Sequence, residues 1–357
     1  MLAVFAFAMF HLTPETQAVP YREPQLAVSK QFVVLAFGSG KGIFVATSAD
    51  LGRTFGKPVL VASAHVLPLS RHRGPRIAFS QGAIVVTAVA GHTEGTGPHA
   101  HGLPSDGDLL SWRSRDGGKT WSPGVRINDV PAAAREGLHT LAADEKGNLF
   151  AAWLDLRKLE GKPEGTRLYG SYSKDSGATW SANVLLYESP DGTICQCCHP
   201  SASYGPDGTL GVMWRNWLGG SRDFYMIRST QTGPFSKPEK LGMGTWKINA
   251  CPMDGGGLGH DGQRVLSAWR RDGEVFISEP GKSEVRIGEG KDVALSAGSG
   301  GTHVLWVKGT QLVHWSSGKT QVLAEQASFP ALAAVRDGAI AAWESQGSIA
   351  ILHLPSK

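Results

Sequence analysis

The sequence predicts an all-β fold: a β-propeller of six or seven four-stranded blades, with seven favoured. Three observations carry this expectation. An eight-residue turn motif recurs three times, an apolar strand recurs seven times, and the composition is rich in glycine and tryptophan. The 357 residues include 46 Gly and 11 Trp, with 41% hydrophobic and 18% charged residues. That much glycine signals many tight turns between short strands and argues against a helical bundle.

The turn motif is S-x-D-x-G-x-T-(W/F). It occurs at Ser48 to Phe55, Ser114 to Trp121 and Ser173 to Trp180. Each copy reads as a hairpin turn in which the Asp side chain accepts backbone N–H bonds, Gly supplies a left-handed φ and the aromatic ring tucks beneath. A degenerate fourth copy, Ser229 to Phe235, keeps the turn and the aromatic residue but lacks the Asp.

The apolar strands end at Phe37, Ala88, Trp153, Trp214, Trp269, Trp306 and Trp343, at a mean step of 51 residues. A repeat of that length, with about four short strands in each unit, is the pattern of a propeller. The last unit has room for only three strands before Lys357. Residues from the N-terminus are expected to complete it and so remove an exposed edge.

Leu2 to Phe10 form a short apolar stretch followed by Thr16-Gln17-Ala18. This reads as an export signal over residues 1–18, although the basic n-region is missing. The alternative is an ordinary N-terminal strand. With export, residues 19–357 form a single secreted or periplasmic propeller domain. No apolar run reaches the roughly 18 residues of a membrane-spanning helix. The net charge of +4 is spread without basic runs, which demotes nucleic-acid binding. The expected state is a monomer.

In a propeller, the loops leading into the innermost strands and those following the second strands share one face. Here they collect Arg22, Arg73, Arg76, Arg135, Arg157 and Arg215 as candidate anion ligands, with Asp155 and Glu136 as candidate proton-transfer groups. The same face holds all four cysteines, in Cys195-Gln-Cys197-Cys198-His199-Pro200 and Cys251-Pro252-Met253. Cys195, Cys197, Cys198, His199, Cys251 and Met253 suit two disulfides in an exported protein, or a soft-ligand copper or zinc site. Inert buried cysteines are the third reading. In an extended segment, Cys195 and Cys197 would share a face and Cys198 would point away.

The turn motif resembles the Asp-box, or BNR repeat, of the sialidase superfamily. Tyr21-Arg22-Glu23-Pro24 is similar to that family's (F/Y)-R-I-P motif, whose Arg helps bind the substrate carboxylate. The resemblance covers roughly residues 20–354 and implies an exo-α-sialidase-type glycoside hydrolase with Arg22 as a carboxylate ligand. The family's catalytic set is not matched. No Tyr follows Tyr225, and only Arg336 lies beyond residue 290. The leading expectation is therefore an exported propeller recognising a glycan or other anionic ligand, with hydrolysis of that ligand as its catalytic form. The alternatives are a metal-binding or thiol-redox protein using the cysteine rim, and a disulfide-stabilised interaction scaffold.

Overall fold

The computed structural model of the chain describes residues 9–16, 18–30, 32–96, 100, 102–230 and 233–356. Among these residues, 28 strands form seven four-stranded antiparallel sheets and there is no α-helix. The sheets span residues 21–63, 76–126, 139–187, 201–240, 257–289, 291–324 and 327–355, and are numbered here as blades 1 to 7. The innermost strand of each blade contacts those of both neighbours, which closes the ring: Tyr21–Ser29 meets Arg76–Ser80 on one side and Ala327–Val335 on the other.

Every apolar repeat of the sequence is the second strand of its blade. These strands are buried on both faces because each sheet is covered by two others, which explains their continuous apolar runs. Trp153, Trp214, Trp306 and Trp343 are fully buried at equivalent positions, and Phe37 fills the same place in blade 1. No single centre exists. The apolar clusters lie between neighbouring blades, as where Val34 and Val45 of blade 1 pack with Ile84 and Val86 of blade 2.

The three motif turns connect the third and fourth strands of blades 1 to 3. In each, the Asp carboxylate accepts the backbone N–H and hydroxyl of the Thr four residues on, at 3.0 and 2.6 Å for Asp50 and Thr54. The turns also join blades. Trp180 of blade 3 donates its indole N–H to Ser111 of blade 2 at 2.9 Å, and the Phe55 ring lies 5.8 Å from that of Phe10.

Phe10–Leu12 is the fourth strand of blade 7, antiparallel to Ser348–Pro355 in the register His11 to Ala350. The expected N-terminal closure is therefore present, and it falls within the segment read as an export signal. Residues 1–8 and Gln17 of that segment lie outside the described residues. Cleavage after Ala18 would remove the strand and leave Ser348–Pro355 as an unpaired edge. Leu12 is buried against Val335, Ile340, Ile349 and Ile351.

Leu12→Ala should lower unfolding stability by about 2–3 kcal/mol. A chain starting at Val19 should lose more and self-associate through the bare edge. Urea midpoints and sedimentation of the three chains check this. Equal midpoints would show that the strand contributes nothing to closure.

Candidate functional site

The strands are laid out so that the innermost ones all begin at the same end of the axis, where the sequence places polar residues in every blade. Three of these strands, in blades 1, 6 and 7, open with the same irregularity. A β-bulge interrupts each ladder near its start, and a non-glycine residue there takes a left-handed backbone: Glu23 at φ 52°, Asp292 at 57° and Phe329 at 47°. His72, in the loop that precedes the blade 2 strand, has φ 64°. Such conformations cost of order 1–3 kcal/mol each and concentrate at sites where side chains must be aimed.

The bulges direct a connected set of ionisable groups to the axis. Glu23 accepts the backbone N–H of His72 at 3.0 Å, while its own N–H donates to Glu344 at 2.8 Å. The second carboxylate oxygen of Glu344 is held by Arg22 Nη1 at 2.9 Å. His72 Nε2 meets Asp292 Oδ1 at 3.0 Å, and the Asp292 backbone N–H donates to Asp254 Oδ2 at 2.8 Å. The His199 ring lies 4.7 Å from that of His72, and the Phe329 ring is set edge-on at 5.2 Å. Arg76 donates to the carbonyl of His72 at 2.7 Å. Gly74 makes the approach possible, since a Cβ there would lie 2.6 Å from that of Glu23.

Burial sorts these groups by protonation state. Desolvation, reinforced by Glu344, drives the Glu23 carboxyl up to about 8 against the opposing pull of His72 and Arg76. It is therefore a neutral acid at pH 7. Burial also raises Glu344, despite the Glu23 N–H and Arg22. For His72, burial acts downward but the bond and charge of Asp292 outweigh it, and the net shift is upward. Asp292 is correspondingly lowered, its burial overcome by His72. His139 is pulled down to about 3 by burial and Arg76, and His199 falls well below the usual range. The site thus combines a protonated carboxylic acid, a histidine–aspartate ion pair and neutral imidazoles. Beneath it, a cavity of about 200 Å³ runs into the channel between the innermost strands, with His72, Arg76, Thr140, His199 and Ser201 among its walls.

The six arginines fare differently from the expectation of one anion-binding face. Arg73, Arg76, Arg157 and Arg215 are buried and turned inward. Arg73 donates to the Glu136 carbonyl at 2.5 Å, with the Glu136 carboxylate 3.5 Å away. Arg157 binds Asp155 and Asp129, at 2.8 and 2.9 Å. Asp155 is fully buried and also accepts the Trp153 indole N–H at 2.8 Å, so this proton-transfer candidate serves to anchor its own loop. Arg22, with its side chain 45% exposed, and Arg135 are the two left facing solvent. Tyr225 pairs with Trp214 and Lys240 inside the blade 4 sheet, as a packed aromatic.

The cysteine segment is not extended. Residues 196–198 form a turn, which corrects the expectation that Cys198 points away. The turn gathers the Cys195, Cys197 and Cys198 sulfurs within 4.8 Å of one another, all buried, with Met253 of the next blade packed against them. Burial and the cysteines' mutual bonding leave Cys197 and Cys198 raised. Cys195 is strongly lowered, since both neighbouring thiols bond to its sulfur and Arg215 and Arg222 lie near. His199, grouped with these cysteines by sequence, belongs instead to the axis, and Cys251 is exposed.

No protein-family model matches the chain, and no curated protein matches its sequence. Solved structures share the fold. A PL25 ulvan lyase superposes with a TM-score of 0.57 at 13% identity, covering 99% of this chain and 96% of its own. The α-L-arabinanase of Penicillium chrysogenum gives 0.53 at 13% identity over 98% of both chains. The leech intramolecular trans-sialidase gives 0.54 at 12% identity, covering 99% of this chain and 69% of its own. The chain is thus a seven-bladed β-propeller, and the likeness to these structures is one of fold.

The raised carboxyl has a measurable consequence. The folded chain keeps a proton on Glu23 that the unfolded chain, with its ordinary value of 4.5, has lost. Stability should therefore fall as pH rises from about 4.5 to about 8, by on the order of 4 kcal/mol from this group. The raised His72 adds a loss in the same direction above its ordinary 6.5. Urea midpoints measured from pH 5 to 9 should fall for the native chain and much less for Glu23→Gln. Parallel curves would show Glu23 to be ionised in the fold.

Proposed function

We propose that this protein is a glycan-directed propeller whose ligand is an acidic sugar bound at the axial end, processed there by acid–base chemistry. The carrying observation is the neutral Glu23 carboxyl beside the His72–Asp292 ion pair. Two titratable groups pushed to opposite protonation states at one point supply a general acid and a proton acceptor at the same pH. Propellers whose structures resemble this one include a sialidase, an arabinanase and a polysaccharide lyase, which supports a carbohydrate ligand.

Arg22 sets the sign of the ligand. Its exposed guanidinium borders a depression of about 500 Å³ with Val19, Pro20, Leu69 and Ser70, within the size range of small-ligand sites. A ligand carboxylate competes with Glu344 for Arg22, because bidentate pairing with a guanidinium suits either partner. Drawing Arg22 outward uncovers Glu344, and behind it Glu23. An acidic sugar is in this way both the ligand and the trigger that exposes the acid. Sialidase-type hydrolysis is the form implied by the Tyr-Arg-Glu-Pro resemblance. Among the described residues the axial network contains no tyrosine, so the acid is Glu23, and a water that gives up its proton to the Asp292 carboxylate, which the His72 imidazolium holds in place, takes the place of a tyrosine nucleophile.

The test is a panel of fluorogenic sialosides and uronides together with anionic polysaccharides, followed by reducing-end release and by the absorbance of unsaturated product. Glu23→Gln should lower kcat by about 100-fold or more. Arg22→Ala should act mainly on KM, and Arg135→Ala should leave both unchanged. A native chain that neither binds nor turns over any acidic glycan would overturn this reading.

A further inference from the structure

Arg215 and Arg222 are buried cations without carboxylate partners. Arg215 is 1% exposed, and its guanidinium donates only to carbonyls, those of Asp254, Arg222 and Arg270, at 2.9–3.3 Å. Arg222 is 5% exposed and donates to the Ile248 carbonyl at 3.4 Å and to the Cys195 sulfur at 3.0 Å. No Asp or Glu among the described residues pairs with either. Aromatic rings cover them, Phe224 at 4.1 Å from Arg215 and Trp217 at 4.3 Å from Arg222. Buried charge is retained where an opposite charge meets it. The groups on hand to supply two negative charges are the three thiols.

We infer that Cys195, Cys197 and Cys198 form a monovalent copper site, with the Met253 thioether as a weak fourth ligand from the neighbouring blade. Geometry supports it. Cys195 Sγ lies 3.7 Å from Cys197 Sγ and 3.4 Å from Cys198 Sγ. Metal–sulfur bonds of about 2.3 Å place tetrahedrally arranged sulfurs about 3.8 Å apart, so an ion fits with small adjustments. Charge selects the ion. Cu(I) with three thiolates carries two negative charges, which the two guanidinium groups balance; a divalent ion would leave one cation unmatched. Soft thiolate and thioether donors favour the same metal. Binding forms three Cu–S bonds, releases the protons that the thiols still hold and changes no oxidation state. Cys251, exposed and outside the cluster, is not a ligand.

The experiment is an anaerobic titration of the reduced, metal-free full chain with Cu(I), competed by bicinchoninate, alongside the same titration with Zn(II). The native chain should take up one Cu(I) per chain, develop thiolate-to-copper absorption, and hold Cu(I) against an equal concentration of Zn(II). Cys198→Ser should lose at least about 100-fold in affinity. Arg222→Gln, which touches no proposed ligand but Cys195, should lose about 10- to 100-fold, as outer-shell partners do. Circular dichroism confirms that both variants fold. The Arg222 variant and the native stoichiometry keep the test decisive if the serine variant does not. Zinc retained in preference to copper would overturn the assignment. So would a native chain that binds neither ion and whose denatured mass is short by two hydrogens, the mark of a disulfide.

Discussion

The structure depends on desolvation of charge at the axis. Closing seven sheets into a ring brings the beginnings of seven innermost strands together, and those beginnings are polar. Glu23, His72, Arg76, His139, His199, Asp254, Asp292 and Glu344 come from all seven blades, and each is buried or nearly so. In that setting an unmatched charge is expensive, so each group is paired, is neutralised by a shifted proton equilibrium, or is turned to a backbone partner. The closure strand Phe10–Leu12 matters for the same reason. It completes the blade that carries Glu344, and Glu344 in turn fixes the backbone of Glu23.

The strain at the axis has a direction. The bulged residues Glu23, Asp292 and Phe329 lie at equivalent points of blades 1, 6 and 7, and the left-handed backbone at each shifts the register so that the side chain leaves the strand's alternation. A regular strand would bury these residues between blades. The cost is carried by the interblade packing, where the second strands are fully covered. A scaffold this redundant can hold a neutral acid against an ion pair, an arrangement that a small domain with a single core would give up by local unfolding.

The architecture was legible because a repeat writes the same physical requirement many times. The apolar second strands appear in all seven blades, five of them ending in tryptophan, and their step of about 51 residues needed no knowledge of contacts. Site chemistry is written once, and there the outcome was mixed. Arg22 and Glu23 could be noticed in Tyr-Arg-Glu-Pro, and His72 and Asp254 stood in loops already known to share a face. Arg73, Arg76, Arg157 and Arg215 drew attention as charges but proved to be internal ties. An arginine's sequence neighbours do not reveal whether a carbonyl or solvent meets its guanidinium. Asp292 and Glu344 went unseen because blades 6 and 7 carry no turn motif to set their phase. The signal lay in the equivalence of Lys291-Asp292 and Arg22-Glu23 at the starts of their innermost strands. The cysteine turn was misjudged for a local reason, since the stretch reads as extended and only the fold shows the bend at 196–198.

The two unusual features of this face are joined by one buried chain of contacts. Arg215 faces the thiol cluster and grips the Asp254 carbonyl at 3.2–3.3 Å; the Asp254 carboxylate holds the Asp292 backbone, and Asp292 pairs with His72 on the axis. Charge placed on the sulfurs is therefore felt by Arg215 within a medium that screens little, and Arg215 positions the loop that sets the His72–Asp292 pair. The cysteine turn and the axial site are thus neighbours in energy as well as in space, with Arg215 as the residue common to both.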